Sequence, residues 1–533
     1  MSECIAIKPL RIIDYFGYFR MKRANSSPLT LHPVDRASQS RIRLPLPLVA
    51  GNRDYRERER LLCRMNDILL SSGIEQEYIE HEIRTTLEAS KVQPERLTDR
   101  RRASIQQFAK RSLRCTIARI LSNESHRQFT CHLAESPLLQ WFCGCDSLGV
   151  IRVPSKSTLQ RMESEIPTDL ITRLNALLLT RSGAVDQDER SVIGVEVPVD
   201  LSMVWIDATC AQLDIHYPAD WTLLRDGTRS IMRAIQVIRA HGLKLRMPSP
   251  EAFVAAMNQY AMAMGAASRR GRGPEKARAR KKVLRSMKGT VTKVRAHGQR
   301  YCEQFKKRWR ETDLTEGQAR IVWERLERLL QALPAAVKQA HERIIGERVV
   351  PNADKLLSLY EPHAKVYVRG KAGADAEFGL QLLLCESAEG LIIDSHLVPD
   401  RVASDSTLLL PAIARMRAAL GANVATTVVT DRGFSSAGNS AALKALEICD
   451  STLPRSPEEM AAKLKDRAHR DLHRRRAQTE ARIGVFKANF LGDHVPTKGL
   501  ANQERYVAWA TLSHNLWVLA RLEQARVPLA RTG

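Results

Sequence analysis

The pattern of apolar residues changes near residue 201, and this change limits the folds open to the chain. From about residue 55 to 195, apolar residues recur at helical spacing between charged ones. Beyond that point, short apolar runs of strand length, such as 201–206 and 424–430, alternate with helical stretches. This pattern predicts an α/β protein, a mixed sheet with helices on its faces, preceded by an all-helical N-terminal region.

Further strands and helices follow in the second half. Apolar runs bounded by glycine or proline predict strands, and a period near 3.6 residues predicts helices. The predicted strands lie at 365–369, 378–384, 390–398 and near 448–453, and the predicted helices at about 404–420, 440–446, from 457 or 468 to 490, and 501–526.

Four regions are predicted along the chain. Residues 1–54 are rich in serine, proline and arginine and form an irregular lead-in. Residues 55–195 form the helical N-terminal region. Residues 196–520 form the α/β region, with a basic helical block inserted at about 225–350, and 521–533 form a C-terminal tail.

The charge balance indicates a polyanionic partner. Lysine and arginine total 83 against 59 acidic residues, a net charge of +24. Residues 269–310 alone hold 17 basic residues and two acids. Such a run is often only a solvated helix face, but this excess favours contact with a DNA backbone. An anionic membrane surface is the rival partner, although no stretch approaches the ~18 apolar residues of a spanning helix.

The cysteines and the N-terminus point to a cytoplasmic protein. None of the ten cysteines forms a C-x-x-C pair, and Cys143 and Cys145 form only a C-x-C, so we expect isolated thiols and no zinc site. The first residues lack the apolar core of a secretory signal. Met21 is an alternative start.

A DNA-reading element is predicted within the helical N-terminal region. Ser155 precedes a short helix that opens with serine, lysine and threonine, and Ser155 is expected to cap it. Two short helices joined by a tight turn are similar to a helix-turn-helix. A plain helical hairpin has the same pattern, so both interpretations stay open.

Two acids follow core strands directly. Asp207 comes after the apolar run 201–206, and Asp431 after 424–430. Ligand sites of α/β sheets form at strand ends, although a single aspartate there is more often a turn residue or helix cap. Other aspartates compete for the first position, but none follows an uncharged strand so closely; these are Asp200, Asp214 and Asp226.

The late basic helix carries a third acid. Spacings of three, four and seven residues place His473, Arg476, Glu480 and Lys487 on one helix face. Glu480 would serve merely as the intrahelical partner of Arg476, or as a metal ligand whose basic neighbours grip phosphates. Cutting a phosphodiester suits the second role, since two Mg²⁺ ions held by carboxylates activate the attacking group and stabilise the leaving oxygen.

These segments together resemble the DDE transposases of bacterial insertion sequences, over most of residues 100–520. The late helix is similar to a tyrosine, arginine, glutamate, lysine signature of that family, with His473 standing where tyrosine is usual. The other segments that carry the resemblance are 206–209, 216–220, 223–226, 369–372, 377–379 and 429–434, with 141–144 and 157–159 in the N-terminal region.

The resemblance implies the fold and the roles of individual residues. Residues 196–520 would be a ribonuclease H-like catalytic domain, in which Asp207, Asp431 and Glu480 bind two Mg²⁺ ions, with Mn²⁺ as an alternative. Arg476 and Lys487 would contact DNA phosphates, and His473 would also contact DNA. Further expectations are DNA contact by Arg369 and Lys371, helix capping by Asp405 and a structural role for Glu377.

The activity implied is metal-dependent DNA strand cleavage and strand transfer. Its partners would be double-stranded DNA, namely terminal inverted repeats and a target, with a homodimer in synapsis and no membrane. The protein would lie in the bacterial cytoplasm at the nucleoid. Two alternatives stay open: a metal-dependent nuclease of the same fold, and an inactive DNA-binding relative.

Overall fold

The computed structural model describes residues 46, 49–90, 97–146, 151–215, 219–268, 273–371, 374–400, 402 and 404–523. Within these ranges, the helical N-terminal region consists of seven helices. Almost all of the predicted lead-in, and residues 524–533 of the predicted tail, lie outside these ranges. The helices are α1 Arg53–Ser71, α2 Ile74–Ser90, α3 Asp99–Leu121, α4 His126–Glu135, α5 Pro137–Cys143, α6 Lys156–Ser164 and α7 Thr168–Gly183.

Side-chain caps define the beginning of several of these helices. Ser155 caps α6 as predicted, because its hydroxyl accepts a hydrogen bond from the backbone N–H of Thr158. Ser125 and Gln128 form a capping box at the start of α4. The helices therefore begin where the sequence offers a side-chain acceptor for otherwise unpaired backbone N–H groups.

A six-stranded mixed sheet forms the centre of the α/β region. Its strands are β1 Met203–Gln212, β2 Lys365–Lys371, β3 Ala374–Glu386, β4 Ile392–Val398, β5 Thr427–Thr430 and β6 Cys449–Asp450. β3 pairs antiparallel with β1, β2 and β4, whereas β5 pairs parallel with β1 and β6. β1 therefore joins the antiparallel and the parallel halves of the sheet.

The remaining helices lie before and after the strands. Four helices separate β1 from β2: α8 Asp220–Ala240, α9 Pro250–Ser268, α10 Pro274–Arg308 and α11 Glu316–Ala340. The helices of the C-terminal part are α12 Leu409–Leu420, α13 Ala437–Ala445, α14 Pro457–Lys463, α15 Arg467–Phe486 and α16 Leu500–Leu519. No helix in the described ranges is long and apolar enough to cross a bilayer.

Alternation along the strands gives the sheet two apolar faces. Leu380, Leu382 and Leu384 of β3 belong to the large core that includes the N-terminal helices and α16. Leu383 and Cys385, on the opposite face, pack with the core of α12 and α13. The sheet is thus covered on both sides, as the mixed α/β prediction requires.

The inserted helices have a core of their own. Leu224 and Ile231 of α8 pack with Leu284 of α10 and Leu326 of α11, each almost completely buried, in a cluster separate from those on the sheet. Gly298 of α10 allows this packing, since a Cβ there would lie 2.9 Å from a methyl group of Leu330. The predicted fold class, a mixed α/β domain with a helical insertion after a helical N-terminal region, is confirmed.

Two local predictions are wrong. β1 does not end at Asp207 but continues to Gln212, because its pairing with β3 extends through all these residues. Asp405 does not cap the helix after it. It begins a 3₁₀ turn, Asp405–Leu408, that Ser404 caps, and its Oδ1 accepts a hydrogen bond from Gln381 of β3.

Candidate active site

Asp207 and Asp431 meet where β5 ends beside β1. The last parallel pair of these strands is Ile206 with Thr430, and the two aspartates are the next residues. β1 goes on as an antiparallel partner of β3, whereas the chain leaves the sheet after Thr430. The sequence predicted that both aspartates follow strand ends. Asp431 does follow the end of β5, whereas Asp207 lies within β1, which continues past it.

Each aspartate has one oxygen fixed by the backbone and one directed into the pocket. Oδ1 of Asp207 accepts from the N–H of Ala208, and Oδ1 of Asp431 accepts from the N–H of Gly433, both at 2.8 Å. Glycine suits position 433, because a Cβ there would lie 2.9 Å from Asp431 Oδ1. The Oδ2 atoms remain for a cation.

Helix α15 brings Glu480 to the same place. The Oε1 of Glu480, the Oδ2 of Asp207 and the Oδ2 of Asp431 lie 3.8, 3.7 and 3.7 Å from a single atom, Nη2 of Arg476. Any two of these oxygens are therefore at most about 7.5 Å apart, the sum of their two distances to that nitrogen. The structure thus gathers four of the predicted site residues from β1, β5 and α15.

The three carboxylates differ in their access to solvent. The Asp207 side chain is 19% exposed, that of Asp431 33% and that of Glu480 60%. Burial raises the pKa of Asp207 above its ordinary value, although the nearby Arg476 charge and the Ala208 N–H oppose this shift. Glu480 therefore lies on the solvent-exposed side of the cluster.

Lys487 and His473 lie on either side of this cluster. Lys487 Nζ is 3.5 Å from Thr209 Oγ1 and 3.6 Å from Glu377 Oε1, so its charge sits beside β1 two residues beyond Asp207. His473 instead contacts the carbonyl oxygen of Ser451 through Nε2 at 2.7 Å. Burial lowers the pKa of His473, and the ring faces the chain after β6, not the acidic cluster.

Arg369 and Lys371 lie at the end of β2, within the β2–β3 hairpin. Strand β2 pairs with β3 from Ala374 to Gly379, whereas β1 pairs with β3 from Gly379 to Glu386. Nothing in the register brings these two residues next to Asp207, and their predicted contact with DNA stays a prediction.

A buried carboxylate that the sequence analysis did not single out fixes α15 to the sheet. Glu386 of β3 is 4% exposed and accepts hydrogen bonds from Arg475 at 3.1 Å, Thr479 at 3.1 Å and Arg482 at 3.3 Å. Arg475 also lies over the ring of Trp205, 4.4 Å from its centroid. The spacing of the three donors in the sequence indicates that they share one face of the helix, but the sequence does not reveal that Glu386 is their shared acceptor.

The donor set suits a hard divalent cation, but its present spacing suits a guanidinium. Three carboxylates are the ligands that Mg²⁺ prefers in proteins. Within the described ranges, however, no three Asp, Glu, His or Cys side chains are placed to hold a metal ion directly. Arg476 lies among the three oxygens, and we attribute their separation to it. The chemistry of the residues therefore fits a divalent metal ion.

The fold and the pocket define a class of protein: a mixed-sheet α/β domain with an acidic cluster beside the end of its parallel strand, consistent with a ribonuclease H-like fold. Residues 355–516 match the family model of the transposase DDE domain. This match confirms the predicted resemblance to DDE transposases. The matched segment contains Asp431 and Glu480 but begins after Asp207. The parallel pairing of β1 with β5 places Asp207 beside Asp431. No curated protein and no solved structure matches the chain.

Proposed function

We propose that the chain is the transposase of a bacterial insertion sequence, with Asp207, Asp431 and Glu480 as its catalytic acids. One observation carries this proposal: three acids distant in the sequence surround one cation at 3.7–3.8 Å, and two of them, Asp431 and Glu480, lie in the segment that matches the transposase DDE domain. The partners proposed are the element's terminal inverted repeats and a target DNA, bound in the bacterial cytoplasm at the nucleoid. Synapsis of the two ends would be made by a homodimer.

The acids would hold two divalent ions, Mg²⁺ or Mn²⁺, which polarise the scissile phosphodiester and favour ionisation of the attacking hydroxyl. The protein itself positions the three acids. The backbone N–H groups of Ala208 and Gly433 orient the two aspartates, and the hydrogen bonds to Glu386 orient α15 and so Glu480. Lys487, beside Thr209, is placed to hold a phosphate next to the scissile one.

Plasmid DNA that carries the segments flanking the gene is the substrate that tests this function. The wild-type protein should cut it in Mg²⁺ or Mn²⁺ and leave a free 3′-hydroxyl. Asp431→Asn should abolish cutting and preserve DNA binding in a gel-shift assay. Asp471→Asn, at a 56%-exposed acid of α15, is the matched control and should cut normally.

Pre-cut ends distinguish a transposase from a nuclease of the same fold. Ends with a free 3′-hydroxyl should be joined to a second plasmid by the wild-type protein. Cutting without joining would assign the pocket to the nuclease. Equal cutting by the wild-type protein and Asp431→Asn would contradict the catalytic role of the acids. Binding alone, in every metal tested, would identify an inactive DNA-binding relative.

Helix α10 supplies the surface that we propose to lie along the DNA backbone. Arg278, Lys282, Arg285 and Lys293 are exposed and follow one another at spacings of four, three and eight residues, which places them on one face. None of them forms an ion pair or hydrogen bond within the described ranges. At 1.5 Å per residue they extend over about 22 Å, and Gly289 between them leaves open space for close approach.

The salt dependence of DNA binding tests this surface. Replacing these four residues by glutamine should lower the slope of log K against log salt by roughly 3–4, since each lost phosphate contact contributes about 0.9. The control replaces Lys281 and Lys306, which lie on the same helix but pair with Glu347 and Glu327. An unchanged slope in the fourfold variant would assign the basic helix to solvation alone.

We further propose that the helical N-terminal region binds DNA. Helix α6 begins after Ser155 with the exposed residues Lys156 and Ser157. Such a helix start, with basic and hydroxyl side chains exposed on it, is suited to a phosphate. If this is so, residues 196–520 alone should bind the element's ends more weakly than the full chain, provided that far-UV circular dichroism shows the truncated chain to be folded.

A further inference from the structure

The guanidinium of Arg476 lies in the centre of the acidic cluster without a hydrogen bond to it. Its Nη2 is 3.7–3.8 Å from the three carboxylate oxygens, well beyond the roughly 2.7–2.9 Å of a charge-assisted hydrogen bond. Its Nε is buried and has no hydrogen-bond partner among the described residues. Charge, and not directional bonding, therefore holds this side chain in place.

The neighbouring Arg475 shows the contrast. Its guanidinium donates to Glu386, Thr479 and the carbonyl oxygens of Ser387 and Ala388, at 2.5–3.3 Å. These bonds fix the backbone of α15 to the end of β3. Arg476, one residue further on, can change its side-chain rotamer while the helix remains anchored.

The charges of the pocket are unbalanced. Arg476 brings one positive charge to three carboxylates, so the cluster keeps a net negative charge whenever at least two of the acids are ionised. A divalent ion would bind the same oxygens at about 2.0–2.1 Å. Both cations cannot occupy that centre, so metal binding must displace the guanidinium.

We propose that Arg476 is a built-in counter-ion: it neutralises the acids before metal ions bind and moves to a DNA phosphate when they do. The inference rests on the proposed metal-binding role of the acids. Displacement of Arg476 would make metal binding and DNA binding strengthen each other. A phosphate that draws Arg476 away opens the pocket to the metal, and by linkage the metal releases Arg476 to bind the phosphate.

Binding of Mn²⁺ to the full chain, followed by the electron paramagnetic resonance signal of the free ion, tests this role without any measurement of catalysis. Arg476→Met should bind Mn²⁺ on the order of tenfold more tightly than the wild type, since it removes a competing charge about 4 Å from the ligands. Arg476→Gln should show the same change, and Arg476→Lys should stay near the wild type.

Arg474→Met is the matched control. Arg474 lies on the same helix, is 83% exposed and, among the residues that the structure describes, pairs with Asp471 alone at 3.5 Å, so this variant changes the net charge equally without touching the pocket. Its Mn²⁺ affinity should stay within about twofold of the wild type, as expected for a screened surface charge. Far-UV circular dichroism confirms that each variant is folded.

Duplex DNA provides the second measurement. A 30-base-pair duplex of arbitrary sequence should tighten Mn²⁺ binding in the wild type and in Arg474→Met, and tighten it less in Arg476→Met. If Asp431→Ala loses Mn²⁺ binding but Arg476→Met and Arg476→Gln bind like the wild type, the counter-ion role is wrong and the metal site stands. If Asp431→Ala binds as tightly as the wild type, the metal site itself is wrong.

Discussion

Removal of the Glu386 carboxylate should loosen helix α15 more than any other part of the α/β region. Glu386 is 4% exposed and accepts from two arginines, of which Arg475 is 16% exposed. In Glu386→Ala, Arg475 keeps only its bonds to Thr479 and to two backbone carbonyls, and its charge has lost its buried partner. Breaking a buried pair in this way costs about 3–5 kcal/mol.

The isosteric variant should cost less. Glu386→Gln keeps Oε1, the oxygen that accepts from Thr479 and both arginines, but it loses the charge that strengthens these bonds. The expected cost is about 1.5–3 kcal/mol, the range for a hydrogen bond to a charged group. The predicted order of stability is therefore wild type, then glutamine, then alanine.

Native-state hydrogen exchange measures this loss locally. A cost of about 3–5 kcal/mol corresponds to amide exchange in Arg467–Phe486 that is roughly a hundred to a few thousand times faster in Glu386→Ala. The control Glu458→Ala replaces an exposed acid in the first turn of α14 and should cost less than about 1 kcal/mol. Exchange in α15 within threefold of the wild-type rate in Glu386→Ala would refute this account of how the helix is held.

Two further predictions concern the stability of the fold. A Cβ at Gly379 would lie 2.0 Å from the carbonyl oxygen of Ala211 in the paired strand, whereas one at Gly289 on α10 meets nothing within 4 Å. In urea unfolding, Gly379→Ala should therefore lower the free energy of unfolding by about 3 kcal/mol or more, whereas Gly289→Ala should raise it by roughly 0.5–1 kcal/mol. Equal effects of the two substitutions would contradict the close pairing of β1 with β3 at Gly379. Burial lowers the pKa of His514 to about 4, from about 6.5 in the unfolded chain. Keeping the ring neutral therefore contributes roughly 3 kcal/mol to the free energy of unfolding. This contribution is complete above pH 6.5 and is lost as the pH falls to about 4. His514→Gln should lack this part of the pH dependence, and an unchanged dependence would show that the ring is not the group that titrates.

The sequence predicted the fold class because the apolar periods of the two halves differ so clearly. It did not predict the length of β1. The residues after Asp207 are mostly small or polar and have weak strand propensity, and it is their pairing with β3 that keeps them extended. Gly379 makes room for that pairing, a tertiary effect that no local pattern records.

The acids of the site were predicted as a set, but their surroundings were not. Helical spacing links Glu480 to Arg476, and it does not show that the same guanidinium faces Asp207 and Asp431. Likewise, the spacing that places His473 on the face of Glu480 gave no sign that its ring contacts Ser451. Contacts between distant segments decide both, and one sequence alone does not contain them.

The central claim is that Asp207, Asp431 and Glu480 form one metal-binding pocket. A crystal of the full chain grown with Mn²⁺ and a short DNA duplex tests it most directly through the anomalous signal of the ion. The account predicts peaks about 2.0–2.2 Å from the carboxylate oxygens of Asp207 and Asp431, with the Arg476 guanidinium moved away to a phosphate. A map without such peaks, with Arg476 still among the three acids, would contradict it.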